Sequence, residues 1–320
     1  MTIVPTVRGP VDSAGLGTVL MHEHVFVLSP EFQINFPHHA GFDAEAEIPV
    51  AAARLEELVS AGVDTIVDLT VVGLGRDVEL IRRVNELTSL QIVVATGLYT
   101  FNELPMYLQS RAASGDVVDV MATLFVHDIE EGIAHTGVRA GILKCATDVP
   151  GITRDVERVL RAVARAHRAT GAPISTHTHA GRRRGLEQQD VFAAEGVDLS
   201  RVVIGHSGDT TDLVYLEELI QRGSYLGMDR FGVETILGFQ DRVDTVAALC
   251  ARGLADRLVL SHDTMCFLDW RDPGQRVAPR YCHISHDVLP ALRSAGVSED
   301  DLTTMLVDNP RRIFERGGAY

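Results

Sequence analysis

The stretch Gly17-Thr18-Val19-Leu20-Met21-His22-Glu23-His24-Val25 organises the reading of the chain. An apolar run leads into two histidines that bracket one glutamate. In a β-strand, residues i and i+2 point to the same face, so His22 and His24 project together and Glu23 points away. Two imidazoles held by a rigid strand make half of a transition-metal site. Taken alone, the pair fits a partly exposed strand end without metal just as well.

Outward from this strand, short apolar runs alternate with segments of helical period. The runs 64–70, 91–97, 138–145, 173–179, 201–206, 224–229 and 257–263 read as strands. Between them, 48–61, 78–87, 117–131, 153–169, 186–194, 212–221 and 242–251 read as helices. Thr153 can cap the long helix 153–169 and Gly171 stops it. Two more helices follow near 286–294 and 299–307, after a long segment, 264–281, with no clear period. No linker or repeat interrupts the pattern. Eight strand–helix units predict an α/β fold, a closed (β/α)8 TIM barrel forming a single domain over residues 1–320. An open doubly wound sheet would call for a phosphate fingerprint, and neither GxGxxG nor a Walker A pattern occurs.

The 320 residues are 46% hydrophobic and 23% charged, as in a globular protein with a large core. A net charge of -15 argues against nucleic acid and anionic membranes as partners. No apolar run reaches the ~18 residues that would suggest a membrane span. The first 17 residues lack the pattern of a signal peptide. Cys145, Cys250, Cys266 and Cys282 fit neither a CxxC site nor a disulfide framework, which predicts reduced thiols and a cytoplasmic location.

In such barrels chemistry sits at the C-terminal ends of the strands. Here those ends carry His22, His24, Lys144, His177, His206 and Asp263. Chance supplies one or two such coincidences more readily than six. Lys144 stands inside an apolar strand, where an ammonium is costly and its pKa falls. A neutral amine can add carbon dioxide and become an anionic carbamate able to bridge two divalent cations. The alternative is a lysine that snorkels to the barrel mouth.

Together these residues resemble the phosphotriesterase family of the amidohydrolase superfamily, from Arg8-Gly9-Pro10 to Asn309-Pro310. The first signature matches 17–25, with Val19 where threonine is usual. Val138-Arg139-Ala140-Gly141-Ile142-Leu143-Lys144 looks like the carboxylated-lysine strand. Thr176-His177, Ile204-Gly205-His206-Ser207-Gly208-Asp209-Thr210 and Ser261-His262-Asp263 match the remaining ligand strands. Within the family the chain is most similar to the phosphotriesterase-like lactonases. Tyr99, in Val94-Ala95-Thr96-Gly97-Leu98-Tyr99, is typical of them, and Arg230 stands where the phosphotriesterases proper carry a proton-relay histidine. The closest subset hydrolyses N-acyl-homoserine lactones, the bacterial quorum signals.

The resemblance implies a site for two divalent ions (zinc, cobalt, manganese or iron), bridged by N6-carboxylated Lys144 and a hydroxide. His22, His24 and Asp263 would hold the more buried ion, and His177 and His206 the exposed one. His179 shares a face with His177 but is left out of the ligand set. Asp263 would carry the proton, with Asp209 extending the relay, and Tyr99 and Arg230 would orient the ring or the bridging water. Hydrogen-bonding structure at the barrel rim is the plainer role for those last two. Val27, Leu74, Cys266, Phe267 and Trp270 could line an acyl-chain groove. The resemblance also implies a small-molecule lactone substrate, promiscuous phosphotriesterase activity and a homodimer. The alternatives are a hydrolase of γ- or δ-lactones or of other esters, and a metal-holding protein without turnover.

Overall fold

The computed structural model describes residues 2–112, 115–270, 280–315 and 318–320. The chain begins with an antiparallel hairpin, β1 (Ile3–Thr6) and β2 (Gly9–Asp12), turned at Gly9 with φ 124°. Eight parallel strands follow: β3 (Val19–Val27), β4 (Thr65–Asp68), β5 (Gln91–Gly97), β6 (Ile142–Ala146), β7 (Ile174–His177), β8 (Val202–Ile204), β9 (Tyr225–Met228) and β10 (Leu258–Leu260). They lie in chain order, as helical crossovers between parallel neighbours require. The residues after β10 close the ring on β3: Asp263 N donates to His22 O at 3.1 Å, and His24 N to Thr264 O at 2.9 Å. All eight predicted strands are therefore present in a TIM-type barrel. Among the described residues, no helix is long and apolar enough to cross a membrane.

The core divides by strand parity. Val19, Met21, Val67, Val93, Ala95, Ile142, Val203, Tyr225 and Val259 fill the inside of the barrel. Leu20, Ile66, Ile92, Leu143, Ile174, Val202, Leu226 and Leu258 face the surrounding helices. Full burial of such a side chain contributes roughly 1.5–3 kcal/mol. Val4, Leu16 and Phe314 join the inner set.

β3 departs from strict alternation where it matters. Leu20 pairs with Ile66 and Glu23 with Asp68, so three steps on β3 match two on β4. The extra residue is a bulge, which re-aims the side chains after it. Met21 and then His22 and His24 thus all face inward, while Glu23 turns out between strands.

The long helix runs Arg154–Thr170, with the Thr153 hydroxyl accepting from Val156 N and Gly171 at φ 70°. The loop after β3 holds two short helices, Pro30–Asn35 and Pro37–Ala40, each opened by a proline whose fixed φ suits that position. The segment read as aperiodic begins with a ninth sheet strand, β11 (Met265–Leu268), parallel to β3. No helical period follows it in the sequence to mark a strand–helix unit, and 271–279 lie outside the described residues.

Candidate metal centre

All six predicted ligands line one cavity of about 160 Å³ at the C-terminal mouth of the barrel. Tyr99, Arg230, Val27, Leu74 and Trp270 line it too, as read from the sequence. Cys266 and Phe267 do not; Met265 and Leu268 take their place. The register of β11 explains the correction. Phe267 pairs with Phe26, and its ring packs on Phe42 in the helix-facing core. Cys266 is buried beside it, its carbonyl accepting from Arg54 at 2.5 Å. A larger, open groove of about 810 Å³ lies against the helix Ala44–Ser60 and contains none of the six.

The orientation of the imidazoles carries the chemical reading. His22 and His206 each meet one oxygen of Asp229 through Nδ1, both at 2.9 Å. His177 meets Asp148 through Nε2 at 2.7 Å, and His24 meets the Thr70 hydroxyl through Nδ1 at 2.8 Å. An ionised carboxylate only accepts hydrogen bonds, so the partnered nitrogens of His22, His206 and His177 carry the protons. Their other nitrogens therefore present lone pairs, and these converge. His206 Nε2 stands 2.9 Å from His177 Nδ1, and Lys144 Nζ 3.1 Å from His22 Nε2. Asp263 Oδ1 lies 3.2 Å from His24 Nε2 and 3.6 Å from His22 Nε2. Lone pairs that face one another across 2.9 Å repel unless a cation or a proton lies beside them. This donor set (imidazoles locked by outer partners, a carboxylate and a lysine amine) fits transition-metal ions.

Electrostatics favour the same use. Burial keeps His22, His177 and His206 neutral, His177 down at about 4. Burial also pulls the Lys144 amine down to about 8, against the opposing pull of Asp263 and Asp229. Burial alone would raise Asp263, but the adjoining His22 ring, the Arg230 guanidinium and the His206 ring hold it well below the usual carboxylate range. His206 and Asp263 both sit in left-handed backbone, at φ 59° and 53°. That conformation is uncommon outside glycine and clusters at functional sites. Gly97, at φ 140°, passes so close to Lys144 O that any Cβ would clash, which keeps β5 and the lysine strand in register.

Around the mouth, Arg230 donates to Asp263 Oδ2 at 2.8 Å and to Asp209 Oδ2 at 3.0 Å. Arg242, almost wholly buried, approaches Asp209 Oδ1 at 2.8 Å and donates to the carbonyls of Gly208, Val233 and Leu237. Glu23 accepts from Ser261 Oγ, from His262 N and Nδ1, and from Thr264 N, bracing the turn that carries Asp263. Tyr99 reaches His177 Nδ1 at 3.2 Å, and burial pushes its hydroxyl pKa up, so it stays a donor.

Two partners had a readable signal that the sequence analysis did not use. Asp229 ends the seventh predicted strand, and Asp148 follows Lys144 in the strand-end loop, both on the face where chemistry collects. Among the described residues a second triad, His22, His206 and Asp229, also brings ligand atoms within 4.8 Å. Its two histidine–carboxylate contacts use the outer nitrogens, so it is the hydrogen-bonded support of the centre.

Comparison with known proteins agrees. The profile of the Phosphotriesterase family matches residues 2–314. The chain is 60% identical over 322 residues to the phosphotriesterase homology protein of Mycobacterium tuberculosis, covering 98% of each. It is 37% identical over 313 residues to the aryldialkylphosphatase of Saccharolobus solfataricus, covering 96% of this chain and 98% of that one. The solved structure of the phosphotriesterase from Mycobacterium tuberculosis superposes with a TM-score of 0.92 at 56% identity, over 99% of this chain and 100% of that one. The chain belongs to the phosphotriesterase family and is a metal-dependent hydrolase.

Proposed function

We propose that the protein hydrolyses N-acyl-homoserine lactones, with a weaker activity on phosphotriesters. The observation that supports this most directly is the convergence of ring lone pairs, Asp263 and Lys144 on a cavity whose outer wall is apolar. His22, His24 and Asp263 would hold the inner ion, His177 and His206 the outer, and carboxylated Lys144 would touch both. When bound, two such ions activate water and polarise the substrate carbonyl.

The chain's own residues do the rest. Asp263, ionised and facing the cavity, accepts the proton of the attacking water and returns it to the leaving alkoxide. Arg230, itself held by Asp209, fixes that carboxylate and keeps it charged. Tyr99 donates to an oxygen of the ring. Val27, Leu74, Met265, Leu268 and the half-exposed Trp270 take the acyl chain along the cavity wall.

The name of the Saccharolobus relative favours a second reading, with phosphotriesters as the main substrate. Both reactions need one activated water and one electrophilic centre, so the same residues serve either. Metal-reconstituted protein assayed on acyl-homoserine lactones, simple γ- and δ-lactones and an aryl dialkyl phosphate separates the two. Absence of turnover on the acyl-homoserine lactones would sink the leading reading. Homodimeric assembly belongs to the same proposal and is tested by light scattering. A cytoplasmic site of action also belongs to it, supported by four free cysteines.

A further inference from the structure

The four imidazoles are not held alike. His22 and His206 share one carboxylate, Asp229, whose side chain is 2% exposed. His24 rests on a neutral hydroxyl. His177 alone has a carboxylate to itself, Asp148, and that side chain is 22% exposed. Asp148 lies four residues beyond Lys144, in the loop that leaves β6. The loop is built to present it. Gly151 N donates to Asp148 O at 2.9 Å, and Val149 N to Asp148 Oδ1 at 2.6 Å. The other oxygen, Oδ2, is the one that takes His177 Nε2. On the far side, the backbone of His177 is fixed by Thr147 N and by the buried amide of Gln188, which both donate to His177 O at 2.9 Å. The ring has freedom left only about its own side-chain torsions, and Asp148 removes it.

We propose that Asp148 is a positioning residue for the outer ion: it fixes the His177 tautomer and ring plane, and so sets the affinity of the outer site without touching the inner one. The inference rests on the two-ion reading above. Its chemistry is general. A carboxylate behind a ligating histidine orients the ring and makes it a better donor. Asp148 gives that support to one ligand of the outer ion and to none of the inner, whereas Asp229 backs His22 and His206 alike. Lys144 in β6 and Asp148 in the loop that leaves it are four residues apart, so one strand end carries both the residue that would bridge the ions and the residue that tunes the outer one.

The test uses the full chain, stripped of metal, supplied with bicarbonate and titrated with cobalt(II) against a competing chelator. Visible absorption and metal analysis follow each equivalent. The native protein should take up two ions with separable affinities. In Asp148→Ala the second equivalent should bind about 10–100-fold more weakly while the first is unchanged. Asp148→Asn should fall between, because its amide oxygen still accepts from Nε2 but carries no charge. Second-ion affinity within twofold of native in a normally folded Asp148→Ala would overturn the inference. So would equal weakening of both ions. Uptake of fewer than two ions by the native protein would instead overturn the two-ion reading, and this inference with it.

Discussion

Arg230 donates through Nε to Asp263 Oδ2 at 2.8 Å, placing a permanent cation on the carboxylate at the centre of the site. Replacing it with methionine keeps the volume and removes the charge and the hydrogen bond. Proton handling at Asp263 should suffer, with kcat on lactones about 10²-fold lower. Arg230→Lys should recover part of it. Steady-state kinetics on metal-loaded protein check this, and full activity in Arg230→Met would reduce Arg230 to rim structure.

Lys144 lies within 3.2 Å of Thr176 O and 3.1 Å of His22 Nε2, with no exposed outlet for its amine. Lys144→Met should lose metal and slow hydrolysis on the order of 10³-fold, because several kcal/mol of charge stabilisation go with it. Carbon-13 bicarbonate should give a carbamate resonance in the native protein that the variant lacks.

Asp229 braces His22 and His206, which the proposal assigns to different ions. Asp229→Asn should weaken both ions together, by about 10–100-fold each. Metal titration of this variant beside Asp148→Ala distinguishes shared from one-sided support.

Arg242 is 2% exposed, donates to three carbonyls and pairs with the Asp209 carboxylate. Arg242→Met removes all four contacts and leaves Asp209 to Arg230 alone. Breaking such a buried pair costs about 3–5 kcal/mol. Urea unfolding should show a lower midpoint with an unchanged slope.

Tyr215 is fully buried, accepts from Gly185 N at 3.1 Å, and burial pushes its hydroxyl up to about 12. The unfolded chain releases that proton near 10. Its contribution is therefore intact below pH ~10 and is lost as pH rises to about 12, up to roughly 2–3 kcal/mol. Tyr215→Phe cannot ionise, so its stability relative to native should improve between pH 8 and pH 11. Urea titrations at both pH values measure this, and a gap that does not change with pH would refute it.

Much of the barrel was legible because it is local. Strand parity separates Val67 and Val93 from Ile66 and Ile92, and the apolar runs reveal it directly. Thr153 and Gly171 mark the ends of one helix through bonds to their near neighbours. β1 and β2 escaped because each carries a proline, Pro5 and Pro10, and β11 because no segment of helical period follows it to complete a strand–helix unit.

By itself the sequence determined the order of the eight strands, the polar residues at the ends of five of them, and hence the six groups that line the cavity. Each follows from chain direction and side-chain alternation, which tertiary contacts cannot reverse. Only the tertiary structure decided which nitrogen of each histidine faces the centre. That choice rests on Asp229, 207 residues from His22, and on Asp148, 29 residues from His177. A ring has two nitrogens and can flip, so its useful one is fixed only when barrel closure brings an acceptor to the other. The same closure turned Phe267 into the core and Leu268 toward the cavity, because strand pairing, not composition, sets which side of β11 meets the site.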